Sequence, residues 1–213
     1  MRWHDSPVKS QRTFPVTEFS GGARQTRPTD IERDVLTATL SRQAFVANLA
    51  AHADRTFPDG TTFGVCLIDL DHFRNINLSH GPICGDAALR DVGQRLVRTT
   101  FPGLPSRTER IIGRYDGNAF AVLIETASMD ALASAAHALH RTVGEVEFVS
   151  GSQLNASVGA VLARIGETTG SVLVRAEQAL YLAKQFGRDR VEVGRSPVPL
   201  RTSGDVLALK RSA

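Results

Sequence analysis

From Ser41 onward the apolar positions fall into alternating helical and extended runs. Phe45 and Leu49, four apart, share one helix face after Ser41. Thr62–Leu70 is a continuous apolar run with β-branched members, broken only by Gly64 and closing on Asp69 and Asp71, which predicts a strand buried on both faces. A second helix is predicted after Gly85-Asp86, with Leu89, Val92 and Leu96 at helical spacing. Thr108–Tyr115 and Ala119–Thr126 predict two strands around Asp116-Gly117-Asn118, whose Asp-Gly pair suits a tight hairpin turn. Ser128 is placed to cap a helix with Leu132, Ala135, Ala136 and Leu139 on one face. Leu154–Leu162 predicts a strand, and Leu173, Ala176, Leu180 and Ala183 a last helix, with Gly187 where a C-terminal glycine belongs. Val191 and Val193 end the pattern as a short strand. Helix, strand, helix, hairpin, helix, strand, helix, strand is an α+β order, answered by a mostly antiparallel central sheet covered by helices.

Outside this pattern the chain changes character. Residues 1–30 are rich in Pro, Ser, Thr and Gly without sustained period, and 195–213 form a basic tail, so 31–194 is expected to be the folded domain between two flexible arms. The net charge of +3 resolves the same way: the two arms carry +2 and +3, leaving −2 on the domain. A basic folded face for nucleic acid is therefore not expected. No apolar run approaches the ~20 residues that span a bilayer, and the polar start is unlike a signal peptide. Cytoplasmic placement without membrane insertion follows as an expectation. Cys66 and Cys84 have neither the number nor the spacing of a zinc site and are expected to be free thiols.

Six segments carry a resemblance. Asp34-Val35-Leu36-Thr37-Ala38 with Arg42 and Phe45 is similar to D-x-L-T-G-L-x-N-R-x-x-F; Asp69-Leu70-Asp71-His72-Phe73-Arg74 is similar to D-x-D-x-F-K. Asn77 and Gly81…Gly85-Asp86 are similar to N-D-x-x-G-H-x-x-G-D, and Arg114-Tyr115-Asp116-Gly117-Asn118-Ala119-Phe120 stands in the place of R-Y-G-G-D-E-F. Ser157-Val158-Gly159 matches S-x-G, and Ala179-Leu180-Tyr181-Leu182-Ala183-Lys184 with Gly187-Arg188-Asp189-Arg190 matches A-L-Y-x-A-K-x-x-G-R-N-R. In this order and spacing they resemble the GGDEF family, which implies a nucleotidyl-cyclase, palm-like fold. The family's activity is diguanylate cyclase chemistry: two facing domains, each holding a GTP, join them into cyclic di-GMP.

That reaction needs divalent metal to neutralise the triphosphates and activate the attacking hydroxyl. Mg²⁺ wants hard carboxylate oxygens. In the family these come from the strand end and the third hairpin position, and the fourth hairpin acid also serves catalysis. Here Asp69 keeps the strand-end carboxylate, but the third position is the uncharged Asn118 and the fourth is Ala119. Asp116 replaces the first glycine, adding a carboxylate where phosphates would approach. With Asp116, Gly117, Asn118, Ala119 and Phe120 as the altered signature, loss of cyclase activity is expected, and Mg²⁺ only alongside residual GTP binding.

The resemblance also assigns a nucleotide-binding set that survives: Asn77 and Asp86 for the guanine edge, Lys184 and Arg188 for phosphates, with Phe73 and Arg74 beside the strand end. Asp86 has a second reading as the N-cap of its helix, and Lys184 and Arg188 as charges complementing a helix end. Leu78 and Pro82 depart from the family's loop. The family's product-inhibition motif R-x-x-D reads Arg107-Thr108-Glu109-Arg110, a candidate allosteric pair without the aspartate. Three functions remain open at this stage: a regulator binding guanine nucleotide or a protein partner in cyclic di-GMP signalling, a weak cyclase in which Asp116 or Asp71 holds metal, and a ligand-free scaffold. A homodimer is compatible with each.

Overall fold

The computed structural model describes residues 32–55, 61–126, 128–146 and 153–194; the two expected arms lie outside them. Ten elements follow in order: α1 (Arg42–Ala53), β1 (Thr62–Leu70), α2 (Phe73–His80), α3 (Pro82–Arg98), β2 (Arg110–Asp116), β3 (Ala119–Thr126), α4 (Met129–Gly144), β4 (Ala156–Leu162), α5 (Thr169–Gln185) and β5 (Arg190–Gly194). The strands form one sheet in the order β2-β3-β1-β4-β5, antiparallel except for the β4–β5 pair. This is the expected α+β class with a mostly antiparallel sheet.

The central position of β1 explains its unbroken apolar run. Its side chains alternate between two cores: Cys66, Ile68 and Leu70 pack with α3 and α4, while Phe63, Val65 and Leu67 pack with α1 and α5. The domain is thus helix pairs on both faces of a sheet. Gly159 of β4 shows how closely they pack, because a Cβ there would lie 2.2 Å from the Leu180 backbone N of α5. Ser128 caps α4 as expected, its hydroxyl accepting from Ala131 N.

Two expectations are corrected. The helix read as following Gly85-Asp86 begins at Pro82, with proline in its first turn and Gly81 preceding it, so Asp86 lies inside α3 and is not its N-cap. An unexpected helix, α2, precedes it. Phe73 is its only buried residue, which left no apolar period to read, and its N-cap His72 is left-handed (φ 55°) without a side-chain cap. The strands differ only at their ends.

Candidate functional site

One end of the sheet gathers the signature residues. Asp69, at the end of β1, is paired in register with Ala119 of β3 and Ser157 of β4. Gly117 and Asn118 form the hairpin turn between the paired residues Asp116 and Ala119. The last turn of α5 brings Lys184 to the same place, and its Nζ lies 2.9 Å from Asp69 Oδ1. Asn118 turns its amide inward: Nδ2 donates to Leu70 O at 2.8 Å. At the tip Asp69 therefore has an ammonium partner, and the Asn118 amide beside it is taken by the Leu70 carbonyl.

Burial is the main influence on Asp69 and pushes its carboxyl above the usual range. Lys184 pulls it back by charge and hydrogen bond, Asp71 raises it, and Asn118 lowers it. Asp116 stands exposed at the end of β2. A divalent cation fits this donor set poorly, since Asp69 already has a cationic partner and neither Asn118 nor Ala119 supplies a carboxylate.

Asp71, two residues on, has a different environment. Ser157 Oγ donates to its Oδ1 at 2.8 Å and the Asp189 backbone N to its Oδ2 at 2.9 Å. It thereby ties β1 to β4 and to the turn after α5, where Arg188 and Asp189 both adopt left-handed backbone (φ 64° and 47°). Such conformations cost about 1–2 kcal/mol each without glycine, and the Asp71 carboxylate and His140 (Nε2 to Asp189 Oδ1, 3.0 Å) hold them. Asp71 is thus committed to the fold. Its role was signalled only by three separate motif fragments, D-x-D, S-x-G and G-R-D-R, which no sequence period connects.

The base of the hairpin is equally fastened. Arg114 donates from Nε and Nη2 to Gly117 O (2.9 and 2.7 Å) and from Nη1 to both Asp34 oxygens (3.2 Å). Tyr115 OH donates to Glu177 (2.9 Å) beneath the Arg42 guanidinium, and burial with that carboxylate pushes its pKa up to about 12. Phe120 is a fully buried core residue of β3.

The other predicted residues divide into three groups. Asn77 of α2 packs on the start of α3, so closely that a Cβ on Gly85 would lie 1.9 Å from Asn77 Oδ1, and that buried oxygen has no hydrogen-bond partner. Phe73 packs at the same contact, Arg74 is exposed, and Asp86 is exposed one position beyond Gly85. Arg188 is exposed in the turn after α5. Arg107 and Arg110 are not brought to the tip, since Arg110 opens β2, about 20 Å away at ~3.3 Å per residue. Arg107 is exposed, whereas Arg110 donates to Thr99 O and Val97 O and lies over the Phe101 ring, closing the C-terminal end of α3. A groove of about 590 Å³ beside it is lined by Arg95, Arg98, Thr99 and Arg141 among others. Cys66 is buried, with its thiol pushed up to about 12 by that burial, and Cys84 is a free thiol.

The family description "Diguanylate cyclase, GGDEF domain" matches residues 31–190. The chain belongs to the GGDEF family. Among its relatives, diguanylate cyclase DgcP of Pseudomonas aeruginosa is 32% identical over 163 residues, 75% of this chain and 23% of that protein. Diguanylate cyclase A of Treponema denticola is 27% identical over 78% of this chain and 45% of its own length. The chain thus spans less than half of these curated relatives. Of solved structures, the GGDEF domain of DgcB from Caulobacter crescentus, in complex with cyclic di-GMP, matches with a TM-score of 0.69 at 28% identity over 79% of this chain and 99% of that one. Diguanylate cyclase SiaD of Pseudomonas aeruginosa, in complex with its activator SiaC, matches at 0.67 and 26% identity over 76% and 61%. The GGDEF fold therefore surrounds a tip that carries Asn118 and Ala119. Among the described residues no helix is long and apolar enough to cross a membrane.

Proposed function

We propose that this chain is a non-catalytic, regulatory GGDEF domain of bacterial cyclic di-GMP signalling, one that takes up a guanine nucleotide without joining two of them. The observation that carries the reading is the Asp69–Lys184 ion pair beside an inward-facing Asn118 amide. Asn118 brings a neutral amide where a carboxylate would neutralise a cation, and an ammonium at 2.9 Å competes with one for Asp69. Phosphoryl transfer depends on metal to neutralise the triphosphate, so this tip lacks the means to drive it.

Nucleotide binding draws on what remains. Asn77 packs on Gly85, the residue before Asp86, and its Oδ1 is a buried acceptor without a donor. A guanine edge that offers a donor would draw this amide out of its seat against Gly85. Arg188, exposed after α5, is the cation available to phosphates, and Lys184 reaches them by exchanging its Asp69 partner. Arg107 and Arg110 are the candidate place for cyclic di-GMP, near a groove lined by Arg95, Arg98 and Arg141 together with Asp91 and Glu145. A protein partner belongs to the same proposal, given that SiaD is seen with its activator. GTP is a cytoplasmic nucleotide, and we place the domain there.

Calorimetry of the purified chain with GTP, GDP and cyclic di-GMP tests the proposal. Saturable binding of at least one is expected, weakened about tenfold by Asp86→Ala or Lys184→Ala for the mononucleotides. Silence with all three would overturn the nucleotide reading in favour of a ligand-free scaffold.

A further inference from the structure

At the opposite end of the sheet, three side chains from three elements converge. His52 stands in the last turn of α1, Glu109 directly precedes β2, and Glu125 is near the end of β3, paired with Phe63 of β1. His52 Nε2 lies 3.6 Å from Glu109 Oε1 and 3.8 Å from Glu125 Oε1, and the three donor atoms all lie within 4.8 Å of one another.

The imidazole is oriented for ligation. Its Nδ1 faces Asn48 O at 2.9 Å, a carbonyl that can only accept, so Nδ1 carries the proton. Arg55 Nη1, which can only donate, lies 2.9 Å from Nε2, so Nε2 presents its lone pair. A histidine whose far nitrogen is fixed by a backbone carbonyl is the usual support for a metal ligand. The ring is 95% buried and meets Phe63 edge-on.

Arg55 marks the position a cation would take. The same Nη1 lies 2.7 Å from Glu125 Oε1 and 3.1 Å from Glu109 Oε2, so one positively charged nitrogen touches all three groups. Its fit is imperfect: Glu125 Oε1 is buried, and despite that short contact has no aligned hydrogen bond. Tetrahedral zinc with ligands at ~2.1 Å sets neighbouring donors about 3.4 Å apart, within a few tenths of an ångström of the His52 separations.

We propose that His52, Glu109 and Glu125 form a three-ligand site for a borderline divalent metal, Zn²⁺ being the best match, with Arg55 as a built-in competitor for it. Imidazole with two carboxylates suits zinc and disfavours Mg²⁺ or Ca²⁺, which take oxygen. Such a site would pin the end of α1 to the β2–β3 edge, about 20 Å from the hairpin tip at ~3.3 Å per residue. Arg55 is half-exposed after the end of α1, and metal entry requires its guanidinium to leave these three groups.

Titrating the chelator-stripped full chain with ZnCl₂, and separately with MgCl₂, tests this by calorimetry, with Co²⁺ absorption as a second readout of tetrahedral coordination. One Zn²⁺ per chain and a zinc-dependent rise in Tm are expected, with no matching effect of Mg²⁺. Arg55→Ala should tighten zinc, and His52→Gln and Glu125→Gln should each weaken it by roughly tenfold or more. Circular dichroism checks folding, and the near-isosteric, partly exposed Glu125→Gln decides if His52→Gln unfolds. Absence of saturable zinc binding in both the wild type and Arg55→Ala would overturn the proposal. So would zinc affinity unchanged by the ligand substitutions, which would place the ion on other histidines.

Discussion

Asp69 and Asp71 leave the same strand two residues apart, and they do opposite work. Asp71 is saturated by Ser157 Oγ and the Asp189 N–H, and so joins β1, β4 and the strained turn before β5. Asp69 faces the hairpin tip, where burial disfavours its charge and Lys184 supplies the opposing one. The acidic pair of a single short motif thus contains one residue tied into the fold and one facing the hairpin tip. The first is held by Ser157 and the turn before β5, while the second meets Lys184 beside a hairpin that carries Asn118 and Ala119. The architecture and the tip are therefore held by different bonds, and one can change without the other.

The largest effect should come from rebuilding the tip. Asp116→Gly, Asn118→Glu and Ala119→Glu together should give cyclic di-GMP synthesis on the order of tenfold or more above wild-type background, measured chromatographically with GTP and Mg²⁺. Continued silence would place the defect in the Leu78–Pro82 loop or in assembly, and the comparison between tip and scaffold would lose its force.

Next in size is the fold side of the pair. Asp71→Ala removes two hydrogen bonds to a carboxylate and should cost about 3 kcal/mol, seen as a Tm drop of roughly 6–12 °C in thermal denaturation. An effect near zero would mean that Asp71 is not the tie its geometry describes.

Smaller and more discriminating is the pH dependence. Burial pushes Asp34 up, but hydrogen bonds from Thr37 and the Arg114 charge outweigh it and hold the carboxyl below its usual range. Its contribution is thus present above the unfolded value near 4 and is lost as pH falls through the lower folded one. Asp34→Asn should cost about 1 kcal/mol at pH 7, and less in acid. Asp69 has the opposite sign: its raised folded pKa makes stability fall as pH rises from about 4 through that value. Asp69→Asn should therefore gain on the wild type over the same rise. Denaturant midpoints against pH would show the two variants moving in opposite directions; parallel movement would remove the electrostatic distinction between tip and clasp.

Much of this architecture was legible in the chain because burial leaves a pattern. The continuous run of β1 announced a strand covered on both faces, and the faces of α1, α4 and α5 fell at helical spacing. α2 was hidden because it buries only Phe73, and the start of α3 because a Gly81-Pro82 entry lacks the polar N-cap that marks α4. That the hairpin tip carries Asn118 and Ala119 rather than carboxylates is read from residue identity alone. The partners are not. Lys184 meets Asp69 across 115 positions and Asp71 meets Asp189 across 118, and no local period records such pairings. The reach of Arg110 to the end of α3 was hidden likewise, although the residue itself had been singled out.

The most direct measurement is the simplest one: incubate the purified wild-type chain with GTP and either Mg²⁺ or Mn²⁺, and assay for cyclic di-GMP. With Asp69 held by Lys184 and an amide donor at the third hairpin position, no product is expected above the enzyme-free control. Cyclic di-GMP accumulating in proportion to protein and time would contradict it, and would mean that this tip assembles a working metal site despite its residues.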